Sequence, residues 1–133
     1  MTLTPQDQHH LLAAEGWLEL GDWLAANEEL EEIEAAHRAF PSVFALRVRI
    51  YCAAGKWEMA LTVGNRVAEH IQDAELHLAM AVSNAALSQI REATRWLESA
   101  LNLNQTEEFR LRALELSLLA SVWSSLGASP SSK

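Results

Sequence analysis

Chemistry in a protein chain needs histidines, cysteines, carboxylates or hydroxyls gathered at particular spacings, and in this chain of 133 residues they are scattered. His9 and His10 are neighbours, so a helix points them to different sides. His70 and His77 fall on different predicted helices, and no cysteine pair or carboxylate cluster stands near them to complete a zinc site. Cys52 is the one cysteine. Its thiolate would be a nucleophile, although small cysteines commonly fill helical cores. There is no Gly-rich phosphate loop, no Gly-x-Ser-x-Gly elbow and no His-Glu-x-x-His helix. No enzymatic activity, metal or cofactor is expected, and function is sought in binding surfaces.

Charge narrows the class of partner. The first 37 residues hold nine acids and no Lys or Arg, and the remainder holds nine acids against ten Lys or Arg. The two parts therefore carry -9 and +1, giving the total of -8. An acidic front end argues against nucleic acid, because phosphate contacts need clustered cations. The start "MTLTPQDQHH" has no charged-then-apolar signal pattern, and no apolar run approaches the roughly 20 residues of a membrane span. A lone cysteine cannot form an internal disulfide, which fits a reducing compartment. The expectation is a soluble, cytoplasmic protein without membrane insertion.

The elements that would carry a binding surface are written in a recurrence. "LELGDWLAA" and "AAGKWEMAL" share Gly-x-Trp-x-x-Ala, and Trp17 and Tyr51, Gly21 and Gly55, Trp23 and Trp57, and Ala26 and Ala60 are each 34 residues apart. A further step, shorter by one residue, reaches Asn84, Ser88, Ile90 and Ala93. A period in this range marks stacked helical hairpins. With only five Gly and three Pro, a strand-rich fold is disfavoured.

Capping signals place seven helices in an all-α domain. Thr4 and Pro5 open the first, which ends at Gly21. Asp22 caps a second running to about Ala39. The third spans about Ser42 to Ala54 and the fourth about Lys56 to Ile71. Asp73 caps the fifth, Ser88 marks the next turn, and the sixth continues to about Leu103. Thr106, followed by Glu107 and Glu108, opens a seventh that ends near Gly127, leaving 128–133 as a flexible tail. Gly21 and Gly55 end helices because glycine enters the left-handed conformation with little strain. Ala26, Ala60 and Ala93 let paired helices touch.

This pattern resembles the tetratricopeptide repeat family over a single domain, 1–127, with repeats at about 7–40, 41–73 and 74–106 and a capping helix at about 107–126. The family's small eighth position is met by Ala14 and Ala81 and less well by Val48. Its aromatic eleventh position holds Trp17, Tyr51 and Asn84, and its turn position Gly21, Gly55 and Ser88. The departures are His10, Phe44 and His77 at the early Trp position, Gly64 in place of a bulky residue, and no late Pro in any repeat. The resemblance implies a right-handed superhelical array of antiparallel helix pairs, whose first helices line a concave groove for a peptide or amphipathic helix of another protein.

Carried over by position, that groove takes Gln8, Leu11, Leu12, Glu15, Leu18 and Glu19 from the first repeat. The second contributes Ser42, Ala45, Leu46, Arg49 and Cys52, and the third Glu75, Leu78, Ala79, Val82 and Ala85. For Leu11, Leu18, Leu78 and Val82 a place in the core between repeats is equally open. The clamp with which some members grip a chaperone's C-terminal carboxylate is absent, since Leu11, Glu15, Leu46, Glu75 and Ala79 stand at its positions. A fainter similarity in size, acidity and groove character is to the small type III secretion chaperones.

The implied function is a protein-interaction module, an adaptor or small chaperone. The alternative is an assembly protein, a homodimer through its last helix. There Leu111, Leu114, Leu118 and Val122 form one apolar stripe, and Leu116, Leu119, Trp123 and Leu126 a second beside it. One stripe caps the array and the other meets a copy or partner, unless the helix folds back and buries both. The Glu28 to Glu34 run reads as a solvated face, the alternative being a docking surface for a basic partner such as Arg47, Arg49 or Arg66 of another copy.

Overall fold

The structure is a computed structural model, and it describes residues 3–126. Within these residues all regular structure is helical. The helices are α1 (Pro5–Glu19), α2 (Trp23–Glu31), α3 (Pro41–Ala53), α4 (Trp57–Val67), α5 (Ala74–Ala86), α6 (Ile90–Leu103), α7 (Glu107–Leu114) and α8 (Ala120–Ser125). Single 3-10 turns lie at Ala35–His37, Ala68–His70 and Ser117–Leu119. The all-α class expected from the sequence holds. The helix end at Gly127 and the tail at 128–133 lie outside the described residues.

Local chemistry explains where the hairpins turn. Gly21 and Gly55 have φ of +85° and +75°, and Ser88 occupies the same turn of the third hairpin at φ +63°. A Cβ in this region costs about 1–2 kcal/mol that glycine avoids. Ser88→Gly is therefore expected to stabilise the protein by about 0.5–1 kcal/mol, after the extra freedom of glycine in the unfolded chain is discounted. Thermal melts followed by circular dichroism would register this as a midpoint raised by about 2–4 °C. A lowered midpoint would mean that the serine side chain, rather than the backbone angle, stabilises this turn.

Small residues then bring each pair together. Ala26, Ala60 and Ala93 are all fully buried, as are Ala14, Val48 and Ala81. Helix α3 is the shared wall between hairpins. Val43, Leu46 and Ile50 bury a face toward α1 and α2, while Ala45 and Val48 join the core built with α4, α5 and α6. Helices α1, α3 and α5 follow one another across the array, each packed on the next. Gly64, which departs from the repeat pattern, has a packing cause. A Cβ there would overlap the Met80 sulfur, and Met80 is itself fully buried against α4.

Three boundaries differ from the sequence expectation, each for a tertiary reason. Helix α2 stops at Glu31 rather than near Ala39. Its C-terminal turn gathers Glu28, Glu29, Glu31 and Glu32 where the helix dipole already carries negative charge. Arg38 folds back to donate to the carbonyls of Ile33 at 3.0 Å and Glu31 at 2.9 Å. Helix α4 stops at Val67, because the carbonyls of Ala68 and Ile71 turn inward to His77.

The third difference is the largest. The expected capping helix at 107–126 is broken at Glu115 and Leu116 into α7, a 3-10 turn and α8. A straight helix would carry its second half past the end of the array into water. The break folds Leu119, Val122 and Trp123 onto α5 and α6, where they are 0, 0 and 5 % exposed. Each such burial is worth about 1.5–3 kcal/mol, more than a few lost helical hydrogen bonds. Leu119 and Trp123, assigned from the sequence to a face for a copy or partner, are thus core residues. Leu126 is partly buried against the same core, and Leu116 is 37 % exposed.

Candidate functional site

The groove forms where α1, α3 and α5 lie side by side and α7 closes one end. Its apolar part is a hollow of about 430 Å³ floored by Leu18, Cys52, Ala53, Leu78, Ala79 and Val82, with Leu116 at the lip. A polar continuation of about 520 Å³ is bounded by Glu15, Glu19, Arg49, Glu75, Glu108 and Arg112. A small hollow of about 90 Å³ between α1 and α3 adds Leu11, Ala45 and Leu46. A larger cavity, about 740 Å³, opens among the inter-hairpin loops at 41–42, 71–75 and 103–106. The carboxylates there are already engaged. Asp73 caps α5 by accepting from the backbone N–H groups of Glu75 and Leu76, and Glu75 pairs with Arg112.

Leu11, Glu15, Leu18, Ala45, Arg49, Cys52, Leu78 and Val82, which the resemblance assigned to the groove, each line one or more of these adjoining hollows. Ala85 does not line these hollows and instead packs, partly buried, against the core. Leu78 and Ala79 are only 7 % exposed, so they serve as floor and core at once. The resemblance did not assign Glu108, Arg112 or Leu116 to the groove, and Leu116 was given instead to the second apolar stripe of the last helix. Glu108 and Arg112 wall the groove because α7 returns to α5 through the Arg112–Glu75 pair, and Leu116 reaches it because the chain breaks there. Nothing local in the sequence signals that return.

The charges of the rim fall into two sets. Arg49 reaches Glu15 at 3.4 Å and so ties α3 to α1. Arg112 grips Glu75 with both guanidinium nitrogens, Nη1 at 3.2 Å, and ties α7 to α5. Those hydrogen bonds raise the Arg112 pKa further against the opposing effect of burial, with Glu108 and Glu19 adding to the same field. Glu19 and Glu108 themselves have no ion-pair partner among the described residues. The cations of the rim are thus neutralised, and an excess of negative charge remains over an apolar floor.

Cys52 is a floor residue. Burial pushes its thiol up from its ordinary value, with a smaller opposing effect from the Ser83 hydroxyl. A raised pKa lowers the thiolate fraction on which nucleophilic chemistry depends. His77, which stands where the repeat pattern has an early Trp, is a structural hub. Its Nε2–H donates to the carbonyls of Ala68 at 2.9 Å and Ile71 at 2.8 Å. Its Nδ1 accepts from the Ser99 hydroxyl at 2.6 Å, and its ring stands edge-on to Trp96.

No helix among the described residues is long and apolar enough to cross a membrane. The chain matches no protein-family model, no curated protein and no solved structure.

Proposed function

We propose that this protein is a tetratricopeptide-like interaction module of the cytoplasm, an adaptor or small chaperone. Its array is read as a right-handed superhelix whose groove holds an amphipathic segment of another protein. The observation that carries this reading is the groove itself. It has an apolar floor of Leu18, Cys52, Leu78 and Val82, and a rim on which Glu19 and Glu108 form no salt bridge among the described residues while Arg49 and Arg112 pair with Glu15 and Glu75.

Charge complementarity selects the occupant. Apolar anchors gain from leaving water for the floor, and Lys or Arg on their flanks meets the unpaired carboxylates. An acidic segment or a phosphate backbone would face like charge and be disfavoured. Burial supplies affinity, and the rim sets orientation and association rate.

A display library of twelve-residue peptides selected on the full chain tests the proposal. The expected winners carry Leu, Ile or Phe anchors flanked by Lys or Arg. A Glu19→Lys, Glu108→Lys variant is expected to bind them about tenfold more weakly or worse, a change of at least about 1.4 kcal/mol. Leu116→Glu, at a half-exposed position that leaves folding intact by circular dichroism, is expected to abolish binding. Selection of acidic peptides, or affinities unchanged in both variants, would refute the groove as the site.

A further inference from the structure

A second cluster lies where the start of α1 meets the 3-10 turn after α2. Asp7 is in the first turn of α1 and is 2 % exposed. One carboxylate oxygen accepts from the Glu34 backbone N–H at 3.3 Å, and the other meets His37 Nδ1. Burial pushes the Asp7 carboxyl up, but hydrogen bonds from His37, the Glu34 N–H and Thr4 outweigh it and hold the group below its ordinary value. The Glu34 side chain is exposed, makes no hydrogen bond among the described residues, and comes to the same place. One ligand atom from each of Asp7, Glu34 and His37 lies within 4.8 Å of the others.

We propose that Asp7, Glu34 and His37 form a binding site for a divalent transition-metal ion of the zinc class. Ligands about 2.0–2.2 Å from a tetrahedral zinc ion stand about 3.3 Å apart, so small side-chain rotations around the exposed Glu34 complete the set. Two carboxylates with one imidazole suit zinc and its first-row neighbours, whereas magnesium and calcium prefer oxygen ligands alone. The Glu34 backbone N–H bound to Asp7 orients the carboxylate, as outer contacts do in metal sites. The ion displaces the hydrogen bond between His37 Nδ1 and Asp7, and a neutral imidazole that ligates through Nδ1 carries its proton on Nε2. Its coordination is finished by water on the Glu34 side.

Such a site works as a clasp. It joins α1 to a turn 27 to 30 residues further along the chain, and binding to the folded form alone stabilises it by mass action. His10 and Glu29, in contact at 2.9 Å, are a two-ligand pair nearby and serve as the control.

Isothermal titration of the full chain with zinc chloride at neutral pH, beside thermal melts with zinc or magnesium chloride, tests the site. One equivalent of zinc is expected to bind and to raise the melting midpoint, with no rise in magnesium. Glu34→Gln is expected to weaken the zinc Kd at least about tenfold while leaving the melt without zinc unchanged. His10→Gln is expected to keep the wild-type Kd. Absence of saturable binding, or binding that survives Glu34→Gln, or binding lost in His10→Gln, would overturn the assignment.

Discussion

Replacing His77 with alanine is expected to remove about 3–5 kcal/mol from the folding free energy, a large share of the roughly 5–15 kcal/mol that holds a domain of this kind together. The ring is 3 % exposed and bonds two backbone carbonyls of the turn after α4 and one hydroxyl on α6. Alanine removes one of the two donors to each carbonyl, leaving only the backbone N–H groups of Ile71 and Asp73, and opens a cavity beside Trp96. His77→Phe separates the contributions, since it keeps the ring against Trp96 and loses only the polar contacts. It is expected to cost about 2 kcal/mol. Urea denaturation followed by circular dichroism measures both. A loss below about 1 kcal/mol in His77→Ala would mean that the turn at Ala68–His70 does not depend on this side chain.

The second large effect is expected at the other end of the chain. Trp123 is 5 % exposed, its indole N–H points to the Ala113 carbonyl at 3.5 Å, and it packs into the core with Leu119 and Val122. Trp123→Ala is expected to cost about 3–5 kcal/mol while leaving the mass of the protein by light scattering unchanged. A tryptophan in a dimer face would behave in the opposite way, with the subunit's own fold intact and the mass halved. The two observables therefore separate a folded-back cap from an assembly helix, the two readings that the leucine stripes alone left open.

The difference between what could and could not be read from the sequence follows the range of the interactions. Hairpin turns are local events. Gly21, Gly55 and Ser88 stand at left-handed turns, and Ala26, Ala60 and Ala93 at helix contacts, because backbone sterics and close approach dictate residue type at those points. Leu18, Arg49, Cys52, Leu78 and Val82, named for the groove by the resemblance to the repeat family, line one hollow from successive first helices.

The break at Glu115 and Leu116 carries no Gly or Pro, and the leucine pattern runs through it unbroken. Only the exposed end of α5 and α6, a partner far away in sequence, makes bending more favourable than continuing. The same limit hid Arg112 opposite Glu75, 37 residues apart, and Asp7 opposite His37, 30 residues apart. Side chains this distant become one site only through the stacking of hairpins, which single-residue spacing does not encode.

The central claim concerns one surface, and amide chemical-shift mapping of the isotope-labelled protein with a selected basic-flanked peptide addresses it directly. Perturbations are expected to concentrate at Leu18, Arg49, Cys52, Leu78, Val82 and Leu116, around the groove. Among the described residues Leu12, Leu20 and Leu24 are the most exposed large apolar residues, at 68, 79 and 55 %; Leu12, assigned to the groove by the resemblance, lines none of its hollows, and the three offer the competing surface. Perturbations centred on those three, with the groove residues unmoved, would contradict the account.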